Sequence, residues 1–568
     1  MTDEKIHPGE SISLQTEAGD RPKTNALKRV ACQVPSAKRK LYPEDSMQRQ
    51  AAASDIHETQ KSTRSAASYL VTLGILMSRV LGLVRETVFA HYLGNSPAAG
   101  AFRAALRIPN FLQNLFGEGV LSASFIPVYT RLRAEGDSET ARRLAGIVGS
   151  ILALAVSLMV LAGVLLSHVL VDLIAPGFEG ELRELTIRIV RILFPGVGLL
   201  VLSAWCLGIL NSHRRFFLSY VAPVFWNIAL IATLLLFGER SRQEFLVIAL
   251  AWGSVVGSAL QFGVQLPFVF QVAGRLRPSL EHRLPVVRTV LKNFTPVLVS
   301  RGVVQVSAFI DGIIASFLGA AAVASLAYAQ TLYLLPISLF GMAVAAAELP
   351  EMSERAGDKS EKALARLHER IRNGCHRIAF FVIPSCFAFV LLGREVITLI
   401  FQSGEFGSED TLYVWYILAA LALGLMATTW GRLFSSAFYA LGDTKTPLKI
   451  ALVRVAFSIL FGFMLAFPLR RHIVAFFSSV PGLRMPQIAE IDLGLGAVGL
   501  ALATTLSGWI EFSVLSRALS QRIGRSRIST RLVIKTVAAA LAAALIAVFS
   551  SSFLAQVVSA ASLRAALV

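Results

Sequence analysis

The chain has 568 residues, of which 55% are hydrophobic and 16% are charged, and its formal net charge is +18. A soluble domain carries about a quarter of its residues as charged groups, so this composition excludes an ordinary soluble protein. The basic residues lie mostly in short loops between apolar stretches, so membrane orientation accounts for the positive charge and no nucleic-acid partner is expected.

Residues 1–65 differ in composition from the rest of the chain. They are polar, rich in Lys, Glu, Ser and Gln, and lack the apolar core of a cleavable signal peptide. Because a segment of this kind has too little apolar surface for a packed core, we predict a disordered cytoplasmic tail.

From Ala66 onward, apolar stretches of roughly 18 to 25 residues recur, a length that matches the hydrocarbon thickness of a bilayer. Such spans must be helical, because lipid offers no hydrogen-bonding partner to the backbone. The predicted fold class is therefore an all-α polytopic membrane protein with about thirteen transmembrane helices. The predicted spans are 67–91, 101–130, 144–170, 184–210, 217–237, 245–272, 290–318, 322–350, 376–402, 411–440, 447–468, 491–518 and 531–556.

The charge of the predicted loops alternates along the chain. Loops after even-numbered spans are basic, as in 131–143, 275–283 and 522–527, whereas 94–100 and 403–410 contain no Lys or Arg. Arg240 and Arg242, and Arg470 and Arg471, are partial exceptions. Because basic loops stay in the cytoplasm, this pattern predicts a multi-pass inner-membrane protein with a cytoplasmic N-terminus.

An internal repeat relates two parts of the chain. One pattern occurs twice, about 224 residues apart, as Leu93-Gly94, Leu115-Phe116-Gly117 and Pro127, and then as Leu318-Gly319, Leu339-Phe340-Gly341 and Pro350. An even number of helices per copy gives both copies the same topology, as in several transporter folds. We predict two six-helix lobes, at 66–274 and 275–520, around a central cavity, followed by an extra C-terminal membrane helix within 521–568.

Ionisable residues occur inside several predicted spans, where they are costly and usually mark a polar pathway. Arginine suits phosphate, since its planar fork binds oxygens in pairs and stays charged when desolvated. The pattern predicts a cationic cavity for a lipid diphosphate head, although residues near helix ends, such as Arg103, could instead reach the headgroups. The predicted substrate-binding residues are Arg79, Arg85, Glu86, Arg107, Glu118, Arg301 and Arg432, and the candidates for an ion or gating role are Asp311 and Glu348.

Several kinds of chemistry have no motif in the sequence. We find no Walker phosphate loop, no nucleophile elbow and no metal-ligand cluster, and the four cysteines are scattered. These absences favour a secondary transporter over an enzyme or an ATP-driven pump. No cofactor is expected, and the driving force is left open between the membrane potential and a monovalent ion.

The charged spans carry motifs that resemble those of a known family. Ser78-Arg79-Val80-Leu81-Gly82-Leu83-Val84-Arg85-Glu86 resembles the first-helix signature of the MurJ (MviN) lipid II flippases. Arg107-Ile108-Pro109-Asn110, followed by Phe116-Gly117-Glu118-Gly119, resembles their second helix. Arg79, Arg85, Glu86 and Glu118 match charged residues of the family signatures.

The resemblance implies a fold of the multidrug/oligosaccharidyl-lipid/polysaccharide exporter superfamily. It implies alternating access that carries lipid II, the undecaprenyl-diphosphate-linked peptidoglycan precursor, from the inner to the outer leaflet of the bacterial cytoplasmic membrane. It also implies a groove for the polyprenyl tail at the C-terminal helices. The implied partners are lipid II or a similar lipid, membrane lipids and the cell-wall synthesis machinery.

Two departures from the family pattern fall on expected phosphate contacts. Gln113 and Asn114 stand where the family has an arginine pair, and Gln330 and Thr331 stand where it has an Asp-Arg pair. Arg301 and Arg107 are candidates to replace them. These departures keep open a flippase of the same fold for another polyprenyl-linked or amphipathic substrate. A non-transporting scaffold and an ion-coupled multidrug exporter fit the buried arginines less well.

Overall fold

A computed structural model of the chain describes residues 74, 76–119, 121, 124–341, 361–479, 495–524 and 530–566. The predicted tail at 1–65 lies outside these residues. The described parts of the chain are helical apart from short turns, and they contain no strand.

The helices follow one another in this order: α1 (76–93), α2 (Pro97–Leu112), α3 (Ile126–Ala134), α4 (Ser138–Leu165), α5 (Ser167–Ile174), α6 (Gly180–Ser212), α7 (Phe216–Phe237), α8 (Gln243–Ala273), α9 (Pro285–Ser316), α10 (Ala320–Pro336), α11 (Glu361–Leu391), α12 (Gly393–Phe401), α13 (Ser408–Ala422), α14 (Leu425–Ala440), α15 (Lys445–Ala466), α16 (Arg470–Ser479), α17 (Gly496–Ile523) and α18 (Thr530–Ala566). Two π-helical segments, Gln113–Gly119 and Ile337–Gly341, directly follow α2 and α10.

Each of the thirteen predicted spans overlaps one of these helices or a broken pair of them. Nine helices of the described chain are long and apolar enough to cross a membrane, or ten if the bent pair α13 and α14 is one span. The three predicted spans that do not meet this criterion lie at α1, α2 and α9. The first carries three charges within 18 residues and the second is interrupted by its π-helical segment, so the total of thirteen stays a prediction.

The packing of the helices repeats along the chain. In the first half, α6 packs against α2, α4 and α8, and α7 packs against α8. In the second half, α13 and α14 together make the same contacts with α10, α11 and α17, and α15 packs against α17. Equivalent helices in the two halves are therefore six predicted spans apart, which agrees with the repeat in the sequence. The helix α18 stands outside this pattern and packs against α11. The lobe boundaries at 274 and 520 stay predictions.

The repeated Leu-Phe-Gly motif coincides with the two π-helical segments. Leu115-Phe116-Gly117 lies in the first segment and Leu339-Phe340-Gly341 in the second. Each segment comes within a few residues after a proline inside a helix, Pro109 or Pro336. Proline removes a backbone donor and disturbs the regular ladder, and π-helical turns are common at functional sites. The repeat therefore preserves a backbone irregularity as well as a pattern of apolar residues.

The two ends of the helical bundle differ in their loops. We call the end with the turns at 94–96, 175–179, 317–319 and 402–407 the short-loop end, and the opposite end, with the Arg- and Lys-rich loops, the basic end. At the short-loop end, one continuous apolar core joins residues of the first half, such as Phe102 and Phe178, to residues of the second half, such as Tyr328 and Phe406. A separate core, with Phe125 and Trp205, lies at the basic end of the first half and also takes in Val287 and Val290 of α9.

Candidate substrate-binding site

The centre of the candidate site is Glu86, which lies on α1 and is only 3% exposed. Arg85 donates from Nη2 to its Oε1 at 2.5 Å. Arg103, on α2, donates from Nη1 to the same oxygen at 3.1 Å and from Nη2 to Oε2. A buried carboxylate needs such partners, because removing it from water is costly. Two arginines share one glutamate, so the group keeps a net positive charge.

Arg103 also makes contact with the second half of the protein. Its guanidinium carbon lies 4.2 Å from the ring centroid of Phe89 and 5.1 Å from that of Tyr328, on α10. The hydroxyl of Tyr328 donates to the carbonyl oxygen of Gly94 at 2.8 Å. Cation–π contact and hydrogen bonding therefore hold α10 against α1 and α2 at this level. The sequence analysis placed Arg103 in a span but did not select it as a site residue. A glutamate inside a membrane span needs a cationic partner, and this requirement was the signal that could have identified Arg103.

Arg85 is held from its other side by α7. Its Nη1 donates to Oδ1 of Asn227 at 3.0 Å, and its guanidinium lies 4.8 Å from the ring centroid of Trp226. Trp226 is itself fixed by a hydrogen bond from its indole nitrogen to Ser254 Oγ at 3.1 Å. The Arg85 side chain keeps 22% of its surface exposed. It is therefore oriented by fixed neighbours while remaining accessible to a ligand.

Arg79 lies on the same helix, six residues nearer the basic end, which corresponds to a rise of about 9 Å. It is exposed, and no carboxylate of the described chain lies within salt-bridge distance of it. Arg79 therefore adds an unneutralised positive charge on the basic-end side of Arg85.

Arg107 lies one turn beyond Arg103 on α2, where its guanidinium packs against α9. A Cβ atom built on Gly312 would lie 1.4 Å from its Nη1, so only glycine leaves room for this contact. This nitrogen is buried and has no hydrogen-bond partner among the described residues. A buried donor without a partner is rare, and an interface between two halves is a place where a ligand could supply one.

A second polar cluster lies in the second half, around Asp311 on α9. Its carboxylate accepts hydrogen bonds from Ser458 at 3.4 Å and Thr504 at 3.3 Å. Arg454 pairs with Glu511 at 3.0 Å beside it. Within the described residues, no group of three or more His, Cys, Asp or Glu side chains is placed to hold a metal ion.

Arg432, on α14, is exposed near the same cluster, and the titratable groups close to it are Tyr333, Arg454 and Glu511. Arg454 was not singled out from the sequence, although it lies in the middle of α15 and inside a predicted span. Its pairing with Glu511, 57 residues away, depends on tertiary structure.

The side chains of three predicted site residues lie outside what the structure describes. The backbones of Glu118 and Arg301 fall in the first π-helical segment and in α9, but their side chains are not described, and Glu348 is not described at all. Two of the residues that depart from the family pattern are described in detail. Asn114 is exposed, and the Thr331 hydroxyl donates to the Ala327 carbonyl on its own helix at 3.0 Å. The roles of all nine predicted residues stay predictions.

Between this site and the short-loop end, hydrogen bonds join the two halves and close that end. We call this set of hydrogen bonds the seal. The Glu405 amide donates to the His91 carbonyl at 2.8 Å, and the His91 ring bonds Ser403 Oγ at 3.0 Å. Asn95 donates to Asp410 at 2.8 Å. The positive φ of +51° at Gly94 brings its backbone close to Glu405, where a Cβ would lie 2.5 Å from the carbonyl oxygen. Glycine is therefore required at this contact.

Comparison with known proteins identifies the family. The family model described as lipid II flippase MurJ matches residues 89–566. The chain belongs to the lipid II flippase MurJ family. A lipid II flippase MurJ of Burkholderia cenocepacia is 32% identical over 383 residues, which cover 66% of this chain and 73% of that protein. Membership of this family confirms the resemblance found in the sequence.

Solved structures support the same fold. The chain is similar to a lipid II flippase MurJ in an inward closed conformation, with a TM-score of 0.69 and 24% identity over 84% of this chain and 92% of that one. It is also similar to an inward-facing multidrug resistance MATE family transporter of the MOP superfamily, with a TM-score of 0.60 and 18% identity over 80% of this chain and 99% of that one. The multi-pass helical transporter fold is therefore confirmed, and the family is one of the inner membrane.

Proposed function

We propose that this chain carries lipid II across the cytoplasmic membrane by alternating access, with its diphosphate bound at Arg85, Arg79 and Arg107. The observation that carries the proposal is the placement of Arg85. It is fixed by Glu86, Asn227 and Trp226 yet remains partly exposed. A guanidinium held in this way can bind phosphate oxygens in pairs, and binding does not cost the entropy of ordering the arginine side chain.

Glu86 and Arg103 have a different role in this proposal. Their mutual ion pair is buried and touches α10 of the second half through Tyr328. Glu86 therefore orients Arg85, while Arg103 supports the closed seal. The substrate head enters below the seal and contacts the arginines that are not fully neutralised.

The seal and the basic end open in alternation. By the positive-inside rule the basic end faces the cytoplasm, so the conformation described here is closed toward the outside. Opening on that side requires the Tyr328–Gly94, Asn95–Asp410 and His91–Ser403 hydrogen bonds to break. Each is worth about 1 kcal/mol net, so a bound ligand with a modest preference for the other state can shift the equilibrium.

For the driving force, we favour the membrane potential over a cation bound at Asp311. Two arginines, Arg107 and Arg454, lie close enough to that carboxylate to interact with it electrostatically. A further cation would be repelled by them. Collapse of the potential with an ionophore should therefore slow transport, whereas replacement of sodium by potassium should not.

The test is complementation of a bacterium depleted of its own lipid II flippase, scored by growth and by lipid II exposed on the outer leaflet. Wild-type chain should rescue, and Arg85→Ala should not, although Glu86 keeps Arg103 as a partner and the protein folds. The matched control is Arg188→Gln, which removes an exposed arginine of α6 whose ion-pair partner within the described residues is Glu184 on the same helix. Rescue by Arg85→Ala at normal abundance would contradict the proposed role of Arg85. Failure of the inserted wild-type chain would favour another polyprenyl-linked substrate.

A further inference from the structure

A positively charged cavity lies at the basic end, away from the candidate site. It has a volume of about 1130 Å³ and is formed by the start of α4, the end of α8 and the loop that follows α8. Its charged lining residues are Glu139, Arg142, Arg143, Arg275, Arg277 and Glu281. None of them belongs to the candidate substrate site.

The charges of this cavity are only partly neutralised. Arg142 pairs with Glu139, and Arg143 pairs with Glu281 at 3.2 Å. Arg275 and Arg277 have no carboxylate of the described chain within salt-bridge distance. Two guanidinium groups are thus available to an anion. Arginine is suited to phosphate in particular, because its donors match pairs of oxygens.

The cavity wall is held in place by contacts between the loop and α4. The amide of Ser279 donates to Ser150 Oγ at 3.2 Å. The carbonyl oxygen of Arg277 lies against Gly146, where a Cβ would approach it to 2.5 Å. At its start, the loop leaves α8 through Gly274, which has a φ of +75°. These contacts fix the backbone that carries Arg275 and Arg277, so the site does not have to be ordered by its ligand.

Apolar residues on the same wall indicate what kind of anion fits. Phe270, in the last turn of α8, lines the cavity and is 45% exposed, and Leu276 lines it from the loop. The helix α8 is one of the candidate membrane spans and ends at Ala273. The cavity therefore opens where a span leaves the hydrocarbon region, which is the level of the lipid headgroups. A soluble anion would gain nothing from Phe270, whereas a lipid would contact it with its acyl chains.

We propose that this cavity binds the phosphate of an anionic glycerophospholipid of the cytoplasmic leaflet. Arg275 and Arg277 bind the phosphate oxygens, and Phe270 contacts the acyl chains. Basic cavities between membrane helices on the cytoplasmic side bind anionic headgroups in this way. The loop concerned also connects the first half of the protein to α9 of the second half. A lipid bound there stabilises the attachment of this connection to α4.

The experiment uses the purified full chain, reconstituted in vesicles of phosphatidylcholine alone or of three parts phosphatidylcholine to one part phosphatidylglycerol. Thermal unfolding and the amount of each lipid retained after detergent extraction are measured. The test variant is Arg275→Gln with Arg277→Gln. The matched control is Arg214→Gln with Arg215→Gln, in another exposed loop at the same end. Inorganic phosphate added to the phosphatidylcholine sample serves as the soluble-anion arm.

We expect phosphatidylglycerol to raise the unfolding temperature and to be retained by the wild-type chain and by the control variant. The test variant should bind it about 30-fold more weakly at low salt, with an unchanged unfolding temperature in phosphatidylcholine alone. Equal retention of both lipids, or equal loss of binding in both variants, would overturn the proposal. Stabilisation by inorganic phosphate as large as that by phosphatidylglycerol would overturn the assignment to a lipid.

Discussion

The two ends of this protein are held together in different ways. At the short-loop end, hydrogen bonds and a continuous apolar core join the first half to the second half. At the basic end, Tyr129 bonds His213 and Arg133 bonds the Ser212 carbonyl within the first half, and Arg522 pairs with Asp443 within the second half. These hydrogen bonds thus couple the halves above the candidate site and brace each half separately below it, where α9 of the second half also packs Val287 and Val290 into the core of the first half.

This difference indicates which contacts decide the conformation. In a bilayer, apolar surfaces gain little by leaving lipid, so helix association depends on close packing and hydrogen bonds. The close approaches at the short-loop end involve small residues, such as Gly100 against Ala320 and Gly177 against Ser316. A small number of hydrogen bonds at this end can therefore determine whether the halves are closed there.

The largest expected effect comes from locking the seal. In a background without native cysteines, Asn95→Cys with Asp410→Cys should be joined by a short bis-methanethiosulfonate reagent. Because transport requires this end to open, cross-linking should abolish lipid II exposure in the complementation strain, and reductant should restore it. The control pair, Arg133→Cys with Ser212→Cys, joins residues of one half and should leave transport unchanged. If cross-linking of either pair inhibited transport equally, the short-loop end would not be the end that has to open.

Removal of Arg103 should be the most destabilising single substitution at the site. Arg103→Ala leaves the buried Glu86 with Arg85 as its only described partner, and breaking a buried ion pair costs about 3 to 5 kcal/mol. The unfolding temperature in detergent should fall sharply. The double variant Glu86→Gln with Arg103→Gln should recover most of the loss, because no buried charge is then left unpaired. A double variant as unstable as Arg103→Ala would argue that packing, not charge, is responsible.

Tyr328→Phe should have a smaller effect, confined to the seal. It removes the hydrogen bond to Gly94 but keeps the aromatic ring beside Arg103. The closed state should lose about 1 kcal/mol, a roughly fivefold shift in population. Labelling of an introduced cysteine at position 325, which is buried on α10, should become faster while the unfolding temperature barely changes. The matched variant Tyr129→Phe, at the basic end, should leave this labelling rate unchanged.

The smallest expected effect is a pH dependence at the basic end. Burial, followed by the nearby Arg133, lowers the pKa of His213 to about 4. The folded protein therefore disfavours a proton that the unfolded chain takes up near pH 6.5, and stability should fall as the pH drops from 6.5 toward 4. After solvent screening this amounts to about 1 kcal/mol. His213→Asn should show a flatter stability profile over this range than the wild type, and identical profiles would contradict the assignment.

The sequence predicted the helices, the loop charges and the repeat, because apolar length and basic loops are local properties that the bilayer imposes. It also predicted that Arg85 and Glu86 lie inside the membrane region. It did not predict that Glu86 pairs with Arg103 or that Arg454 pairs with Glu511, because each of these ion pairs joins two separate helices. The sequence also did not predict that α4, α11 and α13 end near Leu166, Leu392 and Leu423, where no proline is present. Packing between helices decides such positions.

One measurement tests alternating access most directly. Spin labels are placed across the short-loop end, at positions 97 and 408, and across the basic end, at positions 215 and 444, and both distances are measured with and without lipid II. Addition of lipid II should produce a population in which the first distance is longer and the second shorter. Distances that stay unchanged, or that increase together at both ends, would contradict transport by alternate opening of the two ends.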